Sequence, residues 1–265
     1  MVLNMDAINI VKTNYIKELL AKNEREDMRD MMSFRAISID NGMIKNAEGS
    51  SQVDLGATRV LAGVKLQLDE PMEDTPNQGN LVVSAELLPL ASADYESGPP
   101  SPVAIEFARV VDRGIRAANC VNLESLFIEE GKSWTVYVDL YVLNYNGNLF
   151  DAGEIAAMSA LLDTRVPKYE DEKVIREETS GKLKIDNIVT SATFAKIDNK
   201  ILLDPTENEE NACDGRITIA TDKENVRAIQ KGLRGGFSSK EVMDLIDVTF
   251  NKHEELKGIL KKSQK

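Results

Sequence analysis

A single histidine, His253, stands in 265 residues, and the two cysteines, Cys120 and Cys213, lie far apart. That scarcity argues against a histidine-rich zinc site and against a Ser-His-Asp triad, since His253 sits in a charged C-terminal stretch. The cysteines read as free thiols of a reducing cytoplasm, a disulfide between them being the alternative. No apolar run approaches the roughly 20 residues a spanning helix needs, so no membrane partner is expected. Asp6 and Lys12 interrupt any apolar stretch near the start, and no secretory signal is expected either. Positive charge is also in deficit: 32 Lys and Arg against 44 Asp and Glu leave a net charge of -12. A free-standing nucleic-acid binder usually draws phosphate to a net-basic surface. Contact with nucleic acid here would need a local patch, or a partner that supplies positive field.

What the chain does have is a globular balance, 42% hydrophobic and 29% charged, with length enough for one large domain or two packed lobes. Residues 4–23 read as an amphipathic helix, with Ile8, Val11, Tyr15, Leu19 and Leu20 at spacings of three and four. Short strands follow: 34–39, a turn at Asp40-Asn41-Gly42, then 43–47, 49–56, 58–66 and 81–88. Ser101 and Pro102 form an N-terminal helix signal for a helix reaching Asn119. A strand at 134–145 places Val136, Val138, Leu140 and Val142 on one face, and 150–162 is alanine-rich and helical. A charged connector, 170–184, leads to strands near 189–197, 200–204, 215–221 and 226–230, then to a helix over 238–261. Strands followed by a helix, twice over, predict an α+β fold. The expected organisation is an N-terminal helix over 1–24, a first half over 25–184, and a second half with its C-terminal helix over 185–265.

Three stretches carry more than a fold class. The first is Ala47-Glu48-Gly49-Ser50 followed by Leu55-Gly56-Ala57-Thr58-Arg59-Val60-Leu61-Ala62-Gly63-Val64-Lys65. The second is Glu86-Leu87-Leu88-Pro89-Leu90-Ala91, leading to Ala108-Arg109-Val110-Val111-Asp112-Arg113-Gly114-Ile115-Arg116. The third runs from Asp139 through Asn146-Gly147-Asn148-Leu149-Phe150 to Gly153. In this order and in a chain of this length they resemble the RNase PH family, and more narrowly its non-catalytic branch in the ring of the archaeal exosome. The resemblance implies the RNase PH fold, two β-α-β-like halves with mixed sheets and packed helices. It further implies a hexameric ring, a trimer of heterodimers with a catalytic RNase PH-like subunit, together with RNA-binding cap subunits and single-stranded RNA. The active partner in such rings cleaves RNA from its 3′ end with inorganic phosphate as nucleophile, and a cytoplasmic location follows.

Whether this copy is itself active can be asked of its residues. Phosphorolysis calls for free backbone N–H groups, a hydroxyl and an arginine around the phosphate, with carboxylates nearby to hold an ion or move a proton. Active relatives read G-G-T-R where this chain has Gly147-Asn148-Leu149-Phe150, so leucine replaces the hydroxyl and phenylalanine the arginine. A second element, D-L-N-x-x-E-D in those relatives, falls on Asp204-Pro205-Thr206-Glu207-Asn208-Glu209-Glu210. Taken alone, such an acidic run reads as a solvated turn. The R-x-D-G-R element matches Arg25-Glu26-Asp27-Met28-Arg29 except for methionine at the glycine, where a positive φ would strain it; the alternative is that the run continues the N-terminal helix. These departures predict a silent site with no catalytic residue, metal or cofactor. The alternative is an active phosphate-dependent 3′-5′ exoribonuclease.

Arg109, Arg113 and Arg116 are the candidate binding residues. Steps of four and three put them on one helical stripe in an otherwise acidic chain. Guanidinium forks suit phosphate oxygens, and the resemblance implies that this helix lines the RNA path at a subunit junction. Ion pairing, with Asp112 and Glu106 close by, is the rival expectation.

Overall fold

The computed structural model of the chain describes residues 2–264. Helix α1 spans Val2–Ala21. The first sheet is built from β1 (Ile37–Asn41), β2 (Gly49–Leu55), β3 (Thr58–Asp69), β4 (Asn80–Leu87), β5 (Phe127–Glu129) and β6 (Lys132–Asn144). Its order is β1-β2-β3-β6-β4, with β5 alongside β6. Only β4 runs parallel to β6, because α2 (Pro102–Ala117) makes the crossover between them. The alternation in β3 and β6 is the cause of their pairing. Val60, Ala62 and Val64 face Val142, Leu140 and Val138 across the ladder, all fully buried.

Helix α3 (Leu149–Asp163) is predominantly apolar and buried from Leu149 to Leu161, Asp151 and Glu154 included. It is covered by the first sheet, by α2 and by the second sheet. That second sheet has the order β10-β9-β11-β12 and is antiparallel throughout, from β9 (Thr190–Ile197), β10 (Lys200–Leu203), β11 (Gly215–Thr221) and β12 (Val226–Leu233). One face of β9 carries Ala195 and Ile197 against α1, while Ala192 and Phe194 on the other face meet Leu245 of α5 (Ser239–Ser263). A short helix, α4 (Glu207–Asn211), follows β10 under a capping box from Thr206 and Glu209.

The expected α+β fold, with strands leading to helices twice, is what the chain adopts. Four local expectations fail. Residues 43–47 form no strand; Gly42 N–H bonds Ser50 carbonyl and the segment bows out as a loop. The charged stretch 170–184 is no connector but most of a hairpin, β7 (Arg165–Glu170) with β8 (Lys173–Lys182). Asp171 and Glu172 sit at φ 49° and 58° in its two-residue turn, and Val166, Tyr169 and Val174 lean on the core beneath the charges. The N-terminal helix stops at Ala21 and does not absorb 25–29. Its buried residues are Ile16 and Leu20, whereas Val11 and Tyr15 of the expected stripe are exposed, and the Ile8 side chain lies outside the described residues.

Candidate functional site

The segment 147–150 is closed. Gly147 has φ +83° and packs so tightly on the chain before α4 that a β-carbon there would lie 2.4 Å from the Pro205 carbonyl oxygen. Asn148 is left-handed (φ 53°), caps α3, and donates from Nδ2 to Asp151 and Asp204, each at 2.8 Å. Asparagine tolerates that backbone because its short side chain bonds locally. Leu149 and Phe150 are 4% exposed. Phe107 packs edge-on against Phe150 at 6.2 Å between centroids, and the Arg216 guanidinium lies 4.3 Å from the Phe150 ring centre. The Leu149 and Phe150 side chains offer an anion no hydrogen-bond donor.

The acidic run is not a solvated turn. Asp204 is fully buried, and its oxygens accept from Arg35 Nη2 (2.7 Å), Arg35 Nε (2.9 Å), the Arg35 backbone N–H (2.8 Å), Arg29 Nη1 (2.9 Å) and Asn148. Glu209, also buried, takes Arg25 Nη2 at 2.6 Å and Nε at 2.9 Å, and closes the cap on α4. Glu210 accepts from the Asn148 N–H at 3.0 Å and from the Tyr145 hydroxyl. Burial raises the Glu210 carboxyl and lifts the Tyr145 phenol far above its ordinary range. Asp151 is pushed up to about 6 by burial, against the pull of Asn148, Ser191 and the Thr193 N–H. Each carboxylate of the run that enters the interior is held by donors of this chain. Among the described residues, no three His, Cys, Asp or Glu side chains converge on a metal position.

The residues of this network stand in or beside the two motifs, but their contacts are not written in the sequence. Arg25 and Arg29 of the R-x-D-x-R run leave the helix and reach Glu209 and Asp204, while Met28 takes the glycine-like φ of 59° with its side chain in solvent. Arg35 and Asn148 gave no signal beyond their place beside those motifs.

The arginine stripe is the opposite case. Ser101 Oγ accepts from the Ala104 N–H at 3.2 Å and starts α2 with Pro102 in its first turn. Phe107, Val110, Val111 and Ile115 go inward, and Arg109, Arg113 and Arg116 emerge. All three line one open groove of about 680 Å³ between α2 and the edge strand β4, with Asn80, Leu81 and Val83 opposite. They are not equivalent there. Arg116 pairs with Asp112 at 2.8 Å and donates to the Leu81 carbonyl. Arg113 donates to Gln230 Oε1 at 3.1 Å. Arg109 makes no ion pair among the described residues. Glu106, the other expected rival, is taken by Arg216 at 2.9 Å.

A two-part α+β chain with a mixed first sheet, a buried central helix and this loop arrangement defines a class. Residues 33–167 match domain 1 of the 3′ exoribonuclease family and residues 187–252 match its domain 2, so the chain belongs to the RNase PH family. Among particular proteins, it is 44% identical to the exosome complex component Rrp42 of Pyrococcus furiosus over 263 residues, covering 97% of this chain and 95% of that protein. The exosome complex component Rrp42 of Methanothermobacter thermautotrophicus is 42% identical over 268 residues, 99% of each chain. A chain in the structure of the Archaeoglobus fulgidus exosome with RNA bound to the active site is similar with a TM-score of 0.90 and 42% identity, over 95% of this chain and 98% of that one.

Proposed function

We propose that this chain is a non-catalytic subunit of an exosome, the complex that degrades RNA from its 3′ end, and that it serves there as scaffold and RNA guide. The observation that carries the reading is the closed pocket. Leu149 and Phe150 stand in the core where the family's phosphate loop would open, and Asp204, Glu209 and Glu210 are spent on internal donors. A phosphate dianion needs free N–H groups and a guanidinium fork, and the five donors on Asp204 already fill its lone pairs, leaving it none for a divalent ion. Similarity over nearly the whole chain to named exosome components supports the assignment.

In this reading the chain completes a cytoplasmic hexameric ring, a trimer of heterodimers with a catalytic RNase PH-like subunit, beneath RNA-binding cap subunits. No helix among the described residues is long and apolar enough to cross a membrane. Single-stranded RNA passes the α2 groove, where Arg109 and Arg113 contact backbone phosphates without reading bases. Arg116 contributes less, because Asp112 and the Leu81 carbonyl already occupy its fork. The net charge of -12 then has a consequence: the isolated chain binds RNA poorly, and affinity appears on assembly with a partner that carries positive field.

The test is a phosphate-dependent RNA decay assay on this chain alone, the catalytic-type partner alone, and the mixture. Efficient decay only by the mixture is the expected result. Decay by this chain alone would overturn the reading in favour of an active exoribonuclease.

A further inference from the structure

The Arg113 side chain is not simply exposed; it is tethered across the two halves of the molecule. Its Nη1 donates to Gln230 Oε1 on β12 at 3.1 Å. The other end of the same amide, Gln230 Nε2, donates to Glu106 Oε1 at 3.3 Å. Glu106 in turn accepts from Arg216 Nη2 at 2.9 Å, and Arg216 lies over the Phe150 ring. The amide has no choice of orientation here, because one neighbour offers only donors and the other only acceptors. Gly232, opposite Arg216 in the β11–β12 ladder, makes room for the stack: a β-carbon there would lie 2.9 Å from Arg216 Nη2.

Glu106 and Arg113 are two turns apart on α2, so both reach Gln230 of β12, with Arg109 between them along the helix. A free arginine loses rotamer freedom on gripping a phosphate, and a preset one has lost part of it beforehand. A neutral amide is suited to this. It fixes the guanidinium through one N–H and leaves its full charge and remaining donors for the ligand, whereas a carboxylate would neutralise it, as Asp112 does for Arg116.

We propose that Gln230 is a positioning residue for RNA: through its amide it presets the Arg113 guanidinium toward the α2 groove, and through Glu106 and Arg216 it anchors that setting to the closed pocket around Phe150. This rests on the reading of the groove as an RNA path. The second half of the chain thus acts on RNA binding without touching RNA.

The experiment is a double-mutant cycle with Gln230→Met, which keeps length and packing but removes both hydrogen bonds, and Arg113→Ala. Each variant is assembled with the catalytic partner, checked for ring formation by size exclusion, and titrated with a labelled oligouridylate by anisotropy over a salt series. Arg113→Ala is expected to lose about tenfold in affinity and about one unit of salt slope. Gln230→Met is expected to lose about threefold with the salt slope unchanged, and to cost nothing further in the Arg113→Ala background. Normal binding by Arg113→Ala would remove the RNA contact on which the proposal stands. Weak binding by Arg113→Ala with normal binding by Gln230→Met would overturn the positioning role alone, as would additive losses in the double variant.

Discussion

Arg25, Arg29 and Arg35 converge on Asp204 and Glu209 in the interior, while Arg109 and Arg113 stand in an open groove on α2 and make no ion pair among the described residues. The residue type is the same and the outcome is opposite. In the interior each guanidinium is matched to a buried carboxylate or a backbone carbonyl, and such a cluster is worth keeping only if every member is satisfied. In the groove, fork donors remain unspent, and unspent donors are what a phosphate can use. In the proposed reading, the silent pocket therefore rests on more than two side chains of one loop. The acidic run is bound into the interior by arginines far from it in sequence, and the guanidiniums left open lie on α2.

The comparison breaks most visibly if the closed network is cut. Glu209→Ala leaves the Arg25 guanidinium buried without its carboxylate, and unfolding free energy should fall by about 3–5 kcal/mol, read by urea denaturation. A loss near zero would mean that the network is not holding the halves. Next in size, Arg109→Glu with Arg113→Glu should lower RNA affinity of the assembled ring by on the order of a hundredfold while stability stays within about 0.5 kcal/mol. Unchanged affinity and decay would erase the contrast by making the groove as silent as the pocket.

A pH series sharpens the same point. The Asp151 carboxyl is held up to about 6 in the folded chain by burial, against an ordinary value near 3.8. The folded state therefore binds the extra proton between those values. The contribution of Asp151 to stability is greatest below about pH 4 and declines as pH rises through about 6, by on the order of 2–3 kcal/mol in all. Denaturation of the parent and of Asp151→Asn over that window checks it: the parent should lose ground relative to the variant as pH rises, and parallel curves would show that Asp151 does not take up the proton. The smallest effect concerns Met28, which is exposed and left-handed. Met28→Gly should stabilise by about 1 kcal/mol, since glycine carries no penalty for that backbone.

Much of this was legible from the order of residues. The N-cap at Ser101, the alternation of Val136, Val138, Leu140 and Val142, and the arginine stripe on α2 all arise from spacings of two to four residues, and the fold realises each. Leu149 and Phe150, where the resemblance implies a hydroxyl and an arginine, were equally plain. The acidic run misled because Asp204 and Glu209 look solvated until their partners are known, and those partners lie as far as 184 residues away in the chain. The hairpin at 165–182 was hidden for a related reason: its outward charges outnumber Val166, Tyr169 and Val174, which pack on a core that the segment itself does not reveal.

By itself, then, the chain order determined most of the strands and helices, and which face of α2 carries arginine, because these depend on side chains a few positions apart. Only the tertiary structure decided which arginines are spent and which are free. Whether a guanidinium meets Glu209, Gln230 or open solvent depends on elements brought together from distant parts of the chain, and such pairing is set by distance in space rather than along the backbone.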